Sequence, residues 1–207
     1  MMHASFKVTE FGHSAWIQMQ SIDGLPRLSQ STLYDLDRIL RLLKWNGCDR
    51  LVLTADFDSS RIANFCAGAD LREVANLEPL TALEFASLGQ HVIEQLLWPG
   101  WKTLVVMSGV VMGGGCDLAL HGQERWAVEG TNLPLKFHHP AAIHGLITGF
   151  GGTYRLKELL GKANALKLFI DLEVWDGMTC RKAGLINKLL TEEEFKPAIQ
   201  MWLSSEK

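Results

Sequence analysis

Two glycine-containing segments decide the fold: FCAGADL at residues 65–71 and VVMGGGCDLAL at residues 110–120. Each segment follows a run of β-forming residues and leads into sequence that is compatible with a helix. Glycine has no Cβ atom, so its backbone N–H group can come close to a ligand oxygen. If the two segments converge in the fold, they form a pair of N–H donors. Such a pair is an oxyanion hole, which stabilises negative charge on a carbonyl oxygen.

We interpret the backbone N–H groups of Ala67 and Gly114 as the two donors. In an alternative interpretation, the glycines serve only tight turns and close packing of helix on strand. A Rossmann phosphate loop is a further alternative, but neither segment has the GxGxxG spacing and the chain has no GxxxxGK[ST] motif. The start of the helix after the triple glycine is also suited to an anion. The occurrence of both segments together favours the oxyanion hole.

Asp117 is the candidate acid or base, since it lies three residues beyond Gly114 in the first turn of the predicted helix. A carboxylate in a partly apolar pocket can have a raised pKa and transfer a proton. In the alternative interpretation Asp117 only complements the helix dipole. Asp70, which follows Gly68, is interpreted as a loop or cap carboxylate.

Three histidines flank Pro140: His138, His139 and His144. Such a cluster is compatible with a metal site or with a nucleophilic triad. No acidic residue lies at ligand spacing and no GxSxG motif is present, so we favour histidines in loops and pocket walls. The sequence therefore predicts no metal site.

Composition places the chain among ordinary globular proteins. It has 207 residues, 47% hydrophobic and 21% charged residues, and a net charge of −3. These values predict one domain and no general attraction to nucleic acid or to a membrane. No apolar run reaches the ~20 residues that span a bilayer, and residues 1–7 do not resemble a secretory signal. Four scattered cysteines indicate a reduced, cytoplasmic setting.

Alternating strand and helix patterns predict an α/β fold with buried strands. We expect strands over residues 6–9, 15–19, 51–54, 103–107, 126–128, 135–137 and 186–190. We expect a helix that is capped by Ser31 or Thr32 and runs to Lys44, and a helix from the triple glycine to about His121. Further helices are expected over residues 81–97, 151–160, 163–170 and 192–204.

Over about residues 5–190 the chain resembles the crotonase superfamily, the enoyl-CoA hydratase/isomerase fold. The resemblance rests on the two glycine segments, on GGTYRL at residues 151–156 and on AGLIN at residues 183–187. It implies a spiral of ββα units, with a core domain over residues 1–190 and a shortened C-terminal helical part over residues 191–207. Members of this family are commonly trimers or dimers of trimers, so a homotrimer or a dimer of trimers is expected.

The resemblance also implies the ligand, an acyl-CoA or acyl-carrier thioester whose carbonyl is held by the N–H groups of Ala67 and Gly114. Coenzyme A enters as part of the substrate, and no separate cofactor is expected. The residues expected to line the coenzyme A site are Ala67, Gly68, Ala69, Asp70, Leu71 and Gly113.

Two departures from the family pattern bear on the reaction. Hydratases of the family carry glutamate where this chain has Asp117, and a second glutamate where Ala141 follows Pro140. Hydration needs one group to place water and one to move a proton. We therefore expect one-acid chemistry, isomerisation or decarboxylation, with His139 or His144 as a substitute acid or base. The alternative is a non-catalytic acyl-CoA-binding or structural protein with this fold.

Overall fold

The structure is a computed structural model that describes residues 4–57, 62–130 and 133–205. The two ends of the predicted domain ranges, residues 1–3 and 206–207, lie outside the described residues. The elements in chain order are β1 (Ser5–Phe11), β2 (Ser14–Gln20), α1 (Gln30–Trp45), β3 (Arg50–Ala55), α2 (Leu71–Val74), α3 (Pro79–Glu94), β4 (Lys102–Ser108), β5 (Val110–Met112), α4 (Gly114–Leu120), β6 (Glu124–Glu129), β7 (Lys136–His138), α5 (Gly152–Phe169), α6 (Gly177–Lys182), β8 (Lys188–Thr191) and α7 (Glu192–Ser204). Short 3₁₀ helices cover Gln95–Leu97 and Pro140–His144.

A six-stranded sheet in the order β1-β2-β3-β4-β6-β8 organises the chain. The hairpin of β1 and β2 is antiparallel, and the other neighbours are parallel. Every residue of β3 is buried, and so is β4 beyond Lys102. Buried parallel strands are mostly apolar because helices cover both faces. The α/β fold predicted from the sequence is confirmed.

Two hydrophobic clusters cover the two faces of this sheet. The larger cluster contains apolar residues of α1, α3 and α4. The smaller one joins Phe195, Ile199 and Trp202 of α7 to Trp16 and Trp126 of the sheet. The terminal helix is therefore packed on the sheet, and the domain boundary at residue 190 stays a prediction.

The ends of several elements differ from those expected. Helix α1 is capped by Ser29, not by Ser31 or Thr32, because the Ser29 hydroxyl accepts the Thr32 N–H group at 3.1 Å. Helix α3 begins at Pro79 and changes to a 3₁₀ turn at Gln95. The predicted break between two helices at Gly161 is confirmed, since that residue has φ 76° inside α5. The short helices α2 and α6 were not predicted.

Strand β5 was also not predicted, and it brings the two glycine segments together. It pairs with β7 in a second, two-stranded sheet. On its other side Cys66 donates its N–H group to Val110 O at 3.1 Å and accepts from Met112 N at 2.9 Å. The two segments therefore run side by side.

Among the described residues, no helix combines the length and apolarity that a membrane crossing requires. All four cysteines are buried and none is in a disulfide.

Candidate functional site

Gly68 makes the close approach of the two segments possible. It has φ +88°, and a Cβ atom there would lie 2.6 Å from the Met112 carbonyl oxygen and 2.8 Å from the Gly114 nitrogen. Both the positive φ and the lack of space exclude any other residue without a shift of the backbone. The glycine in FCAGADL thus lets the Gly114 N–H group sit against the first segment.

The N–H pair at this junction differs from the one expected. Ala67 donates its N–H group to the Pro26 carbonyl at 2.9 Å, so the assignment of Ala67 as an oxyanion donor is wrong. In the described part of the chain the N–H groups of Ala69 and Gly114 have no hydrogen-bond acceptor. The Ala69 nitrogen lies 3.5 Å from the position of a Cβ atom on Gly114. The available pair is therefore Ala69 and Gly114.

A cavity of about 360 Å³ adjoins this pair. Its walls come from both glycine segments, from α2 and α3, and from residues 140–150. Of the residues expected at the site it is lined by Ala67, Ala69, Leu71, Gly113, Gly114 and Ala141. Among the described residues that line it, Thr148 is the only one whose side chain carries an oxygen or nitrogen atom. The cavity is apolar and suited to an uncharged ligand group.

Gly68 and Asp70 support the cavity without lining it. Asp70 caps α2 by accepting the Arg72 N–H group at 3.1 Å, and it forms an ion pair with the Arg72 guanidinium at 2.9 Å. The interpretation of Asp70 as a cap carboxylate is confirmed.

Asp117 lies behind the cavity wall. Its side chain is fully buried, and its Oδ2 atom accepts from the Thr148 hydroxyl and from the Phe150 N–H group. Burial raises the pKa of Asp117 to about 7, against the lowering effect of the hydrogen bonds from Thr148 and from the backbone N–H groups of Phe150 and Gly152. The rise expected from the sequence is present. Asp117 contacts two residues that line the cavity, Thr148 and Phe150, and of these only Thr148 offers a side-chain hydroxyl.

The pocket histidines behave differently from the expectation. His139 is buried between Phe137 and Phe169 and does not line the cavity, so its assignment to the pocket wall is wrong. Burial lowers the pKa of His139 to about 3, which keeps the ring neutral. The backbone of His144 belongs to the 3₁₀ turn, but its side chain lies outside the described parts of the chain. Among described residues no group of three or more His, Cys, Asp or Glu side chains is placed to hold a metal ion.

Thr148 and Phe150 belong to the site, although the sequence reasoning did not identify them. The ring of Phe150 packs at 5.3 Å from that of Phe85, and its Cδ2 atom would lie 2.8 Å from a Cβ on Gly114. Thr148 is separated from Asp117 by 31 positions. No local motif reports such a contact, since it depends on how the 3₁₀ turn returns to α4.

Because the pKa of Asp117 is raised, we expect the stability of the protein to depend on pH in a distinctive way. Its pKa is about 7 in the folded protein and 3.8 ordinarily, so between these values the folded state holds a proton that the unfolded chain has lost. Its contribution to the free energy of unfolding therefore falls as pH rises from about 4 to 7. Asp117→Asn removes this loss. The free energy of unfolding of the variant, relative to that of the wild type, should therefore increase by up to about 4 kcal/mol between pH 4 and pH 8.

Urea unfolding of both proteins across this range measures the difference. The lowered pKa of His139 makes the free energy of unfolding rise with pH in both proteins. The difference between the two proteins therefore reports Asp117. A difference that is constant with pH contradicts the raised pKa.

The architecture is that of the crotonase-fold class. The features that indicate this class are a buried parallel sheet, a second small sheet that joins two glycine segments, and two unengaged N–H groups beside an apolar cavity. The chain belongs to the enoyl-CoA hydratase/isomerase family, whose model matches residues 17–204.

Two curated relatives to which the chain is similar are named as hydratases. The chain is 31% identical over 174 residues to the crotonyl-CoA hydratase of Syntrophomonas wolfei, covering 84% of this chain and 64% of that protein. It is 30% identical over 171 residues to the human mitochondrial methylglutaconyl-CoA hydratase, covering 83% of this chain and 48% of that protein. The chain thus spans about half to two thirds of the length of these curated relatives.

Solved structures match the fold over nearly the whole chain. Pseudomonas aeruginosa DspI superposes with a TM-score of 0.85 at 25% identity, covering 96% of this chain and 73% of that one. The enoyl-CoA hydratase of Thermoplasma volcanium also gives a TM-score of 0.85, at 20% identity, covering 97% of this chain and 78% of that one. At this level of identity the second match supports the fold alone.

Proposed function

We propose that the chain binds an acyl-CoA or acyl-carrier thioester and processes it by one-acid enolate chemistry. The observation that carries this proposal is the unengaged N–H pair of Ala69 and Gly114 at the wall of the apolar cavity. A thioester carbonyl oxygen between these groups accepts two hydrogen bonds. These bonds strengthen as the oxygen gains charge, so they stabilise an enolate more than the thioester.

Proton transfer in this proposal runs through Thr148 to Asp117. The α-carbon of the acyl group loses its proton to the Thr148 oxygen, while the Thr148 hydroxyl proton passes to Asp117 Oδ2. The electron pair of the broken C–H bond moves into the enolate, whose oxygen faces Ala69 and Gly114. Return of a proton to the γ-carbon of an unsaturated chain completes an isomerisation. A carboxyl with a pKa of about 7 is suited to both directions near neutral pH.

Hydration is less well supported by this site. It needs a second group to place water, and Ala141 stands in the cavity wall after Pro140, where the resemblance implies an acid. The relatives' names describe hydratases, and the chain differs at this position from the pattern that the family's hydratases share. We therefore place isomerisation or decarboxylation before hydration.

A second candidate function is thioester binding without turnover. The observation in its favour is the cavity lining, in which Thr148 supplies the only polar side chain among the described residues. A site without an ionisable group in direct contact with the ligand is suited to binding.

Three measurements separate the candidates. Titration calorimetry with butyryl-CoA tests binding, NMR in D2O measures exchange of its α-protons, and product analysis with crotonyl-CoA and an unsaturated 3-enoyl-CoA tests hydration and isomerisation. Binding with exchange supports one-acid chemistry, and binding with neither exchange nor turnover supports the second candidate. Absence of binding to any of these thioesters contradicts both.

Restoring the second acid provides a gain-of-function prediction. Ala141→Glu places a carboxylate in the wall of the cavity that the N–H pair adjoins, so we expect crotonyl-CoA hydration to rise at least about tenfold, below the effect of about 100-fold or more of a fully positioned acid or base. Absorbance of the enoyl thioester measures it. Ala142→Glu is the matched control, since Ala142 is exposed and does not line the cavity. Equal rates in both variants contradict the proposed geometry.

We propose a homotrimer or a dimer of trimers for the assembly, by analogy with the resemblance to the family, and cytoplasmic location stays a prediction. Sedimentation equilibrium of the purified chain distinguishes a trimer from a monomer.

A further inference from the structure

Three buried polar atoms without a hydrogen-bond partner lie together behind the cavity: Asp117 Oδ1, His139 Nδ1 and His139 Nε2. The nearest pair is His139 Nε2 and Asp117 Oδ1, at 3.9 Å, and both side chains are fully buried. Buried polar groups in folded proteins nearly always have partners, so a cluster of such atoms calls for an explanation. The proposed proton route through Thr148 and Asp117 Oδ2 does not use these atoms.

The backbone holds His139 at this place. It follows β7 directly and precedes Pro140, and its φ and ψ of −112° and 77° lie outside the α region that proline disfavours for the residue before it. Phe169 packs on its ring with centroids 4.5 Å apart. The imidazole therefore faces Asp117 from a fixed position.

We propose that His139 is a positioning residue that donates its Nε2–H group to Asp117 Oδ1 when the carboxyl is ionised. Thr148, Asp117 and His139 then form one chain of polar groups that runs from the cavity into the core. A distance of 3.9 Å is longer than a hydrogen bond, and an approach of about 1 Å makes it one.

The charges around Asp117 favour this direction of donation. Burial keeps His139 neutral, so its ring carries one N–H group. Other titratable groups lie beside these two side chains. In α4, burial raises the pKa of the Cys116 thiol well above its usual value, and directly after α4 the His121 Nδ1 atom lies 2.7 Å from the Asp117 carbonyl oxygen. In β7, His138 adds to the lowering of the His139 pKa. Among the described residues no cation pairs with the Asp117 carboxylate, and neither Oδ1 nor His139 Nε2 has another hydrogen-bond partner. The Gly152 backbone N–H group also favours the ionised carboxyl, so His139 is the side-chain donor at Oδ1.

The proposal predicts that His139→Leu raises the pKa of Asp117 by about one unit, since a hydrogen bond to a charged acceptor is worth about 1.5 kcal/mol or more. Carbon NMR of protein labelled at the aspartate Cγ follows the titration, and Asp117→Asn identifies the signal. His139→Gln, whose amide nitrogen can take the place of Nε2, should restore the wild-type pKa. A leucine variant with an unchanged pKa for Asp117 overturns the proposal.

A measurement on the unaltered protein decides the case if the leucine variant does not fold. Nitrogen NMR of the His139 ring should show the Nε2–H tautomer, with a proton shift that follows the titration of Asp117. The Nδ1–H tautomer would mean that the protonated carboxyl donates to the ring, and it overturns the proposal. Neither measurement requires thioester turnover, so this inference stands or fails separately from the proposed function.

Discussion

Asp117→Asn is expected to lower the rate of α-proton exchange of butyryl-CoA at least about 100-fold, the low end of what a positioned acid or base contributes. The affinity for butyryl-CoA should stay the same, because Asp117 is buried and does not line the cavity. Asparagine can still accept the hydrogen bonds from Thr148 and Phe150 but cannot hold the transferred proton. Exchange by NMR and affinity by calorimetry measure the two effects.

Two further variants test whether the proton passes through Thr148. Thr148→Val removes the hydroxyl between the cavity and Asp117 at nearly constant shape, so a similar loss of exchange is expected if the proton passes through Thr148. Asp176→Asn is the control, because Asp176 only caps α6 by accepting the Thr179 N–H group at 2.7 Å. Exchange at the wild-type rate in Asp117→Asn rules out this carboxyl as the base.

The pH dependence follows from the same residue. A base must be ionised, and the pKa of Asp117 is raised to about 7 by burial. Exchange in the wild type should therefore increase as pH rises through about 7 and level off above it.

Gly68→Ala is expected to lower thioester turnover about 100-fold or more, the effect of losing one oxyanion donor. The added Cβ atom would lie 2.8 Å from the Gly114 nitrogen and 2.6 Å from Met112 O, so the two segments must separate. The positive φ of Gly68 adds a destabilisation of about 1–3 kcal/mol. Exchange or isomerisation rates and urea unfolding measure the two effects.

Gly12→Ala is the matched control for the backbone strain. Gly12 has φ +62° in the hairpin between β1 and β2, and a Cβ atom there meets nothing within 4 Å. This variant should lose stability to a similar degree but keep its turnover. If both variants lose turnover equally, the loss at Gly68 comes from instability and the N–H pair has no special role.

Much of the architecture could be read from the chain. The apolar runs that became β3 and β4 predict strands buried on both faces, and the helical break at Gly161 follows from glycine alone. Ends of elements were less predictable, because Ser29, Ser31 and Thr32 are all good N-caps and packing selects among them. Strand β5 is three residues long, and only its pairing with β7 and Cys66 makes it a strand.

The sequence predicted which segments form the candidate site, but not which of their backbone and side-chain atoms are available to a ligand. The choice of Ala69 over Ala67 as a donor depends on Pro26, whose carbonyl takes the Ala67 N–H group. Pro26 lies about forty positions upstream, and no sequence motif indicates that its carbonyl pairs with Ala67. The position of Asp117 behind the wall likewise depends on Thr148 and Phe150, which lie far along the chain.

The sequence by itself determined the α/β class, the two glycine segments, the candidate carboxyl Asp117 and the presence of Ala141 directly after Pro140. These are properties of residue type and local spacing, which the chain carries before it folds. Only the tertiary structure decided which N–H groups are unengaged, that Thr148 connects Asp117 to the cavity, and that His139 lies beside Asp117 and not in the cavity wall. The reason is that hydrogen-bond partnership and burial are set by residues distant in sequence, and these fix both donor availability and pKa.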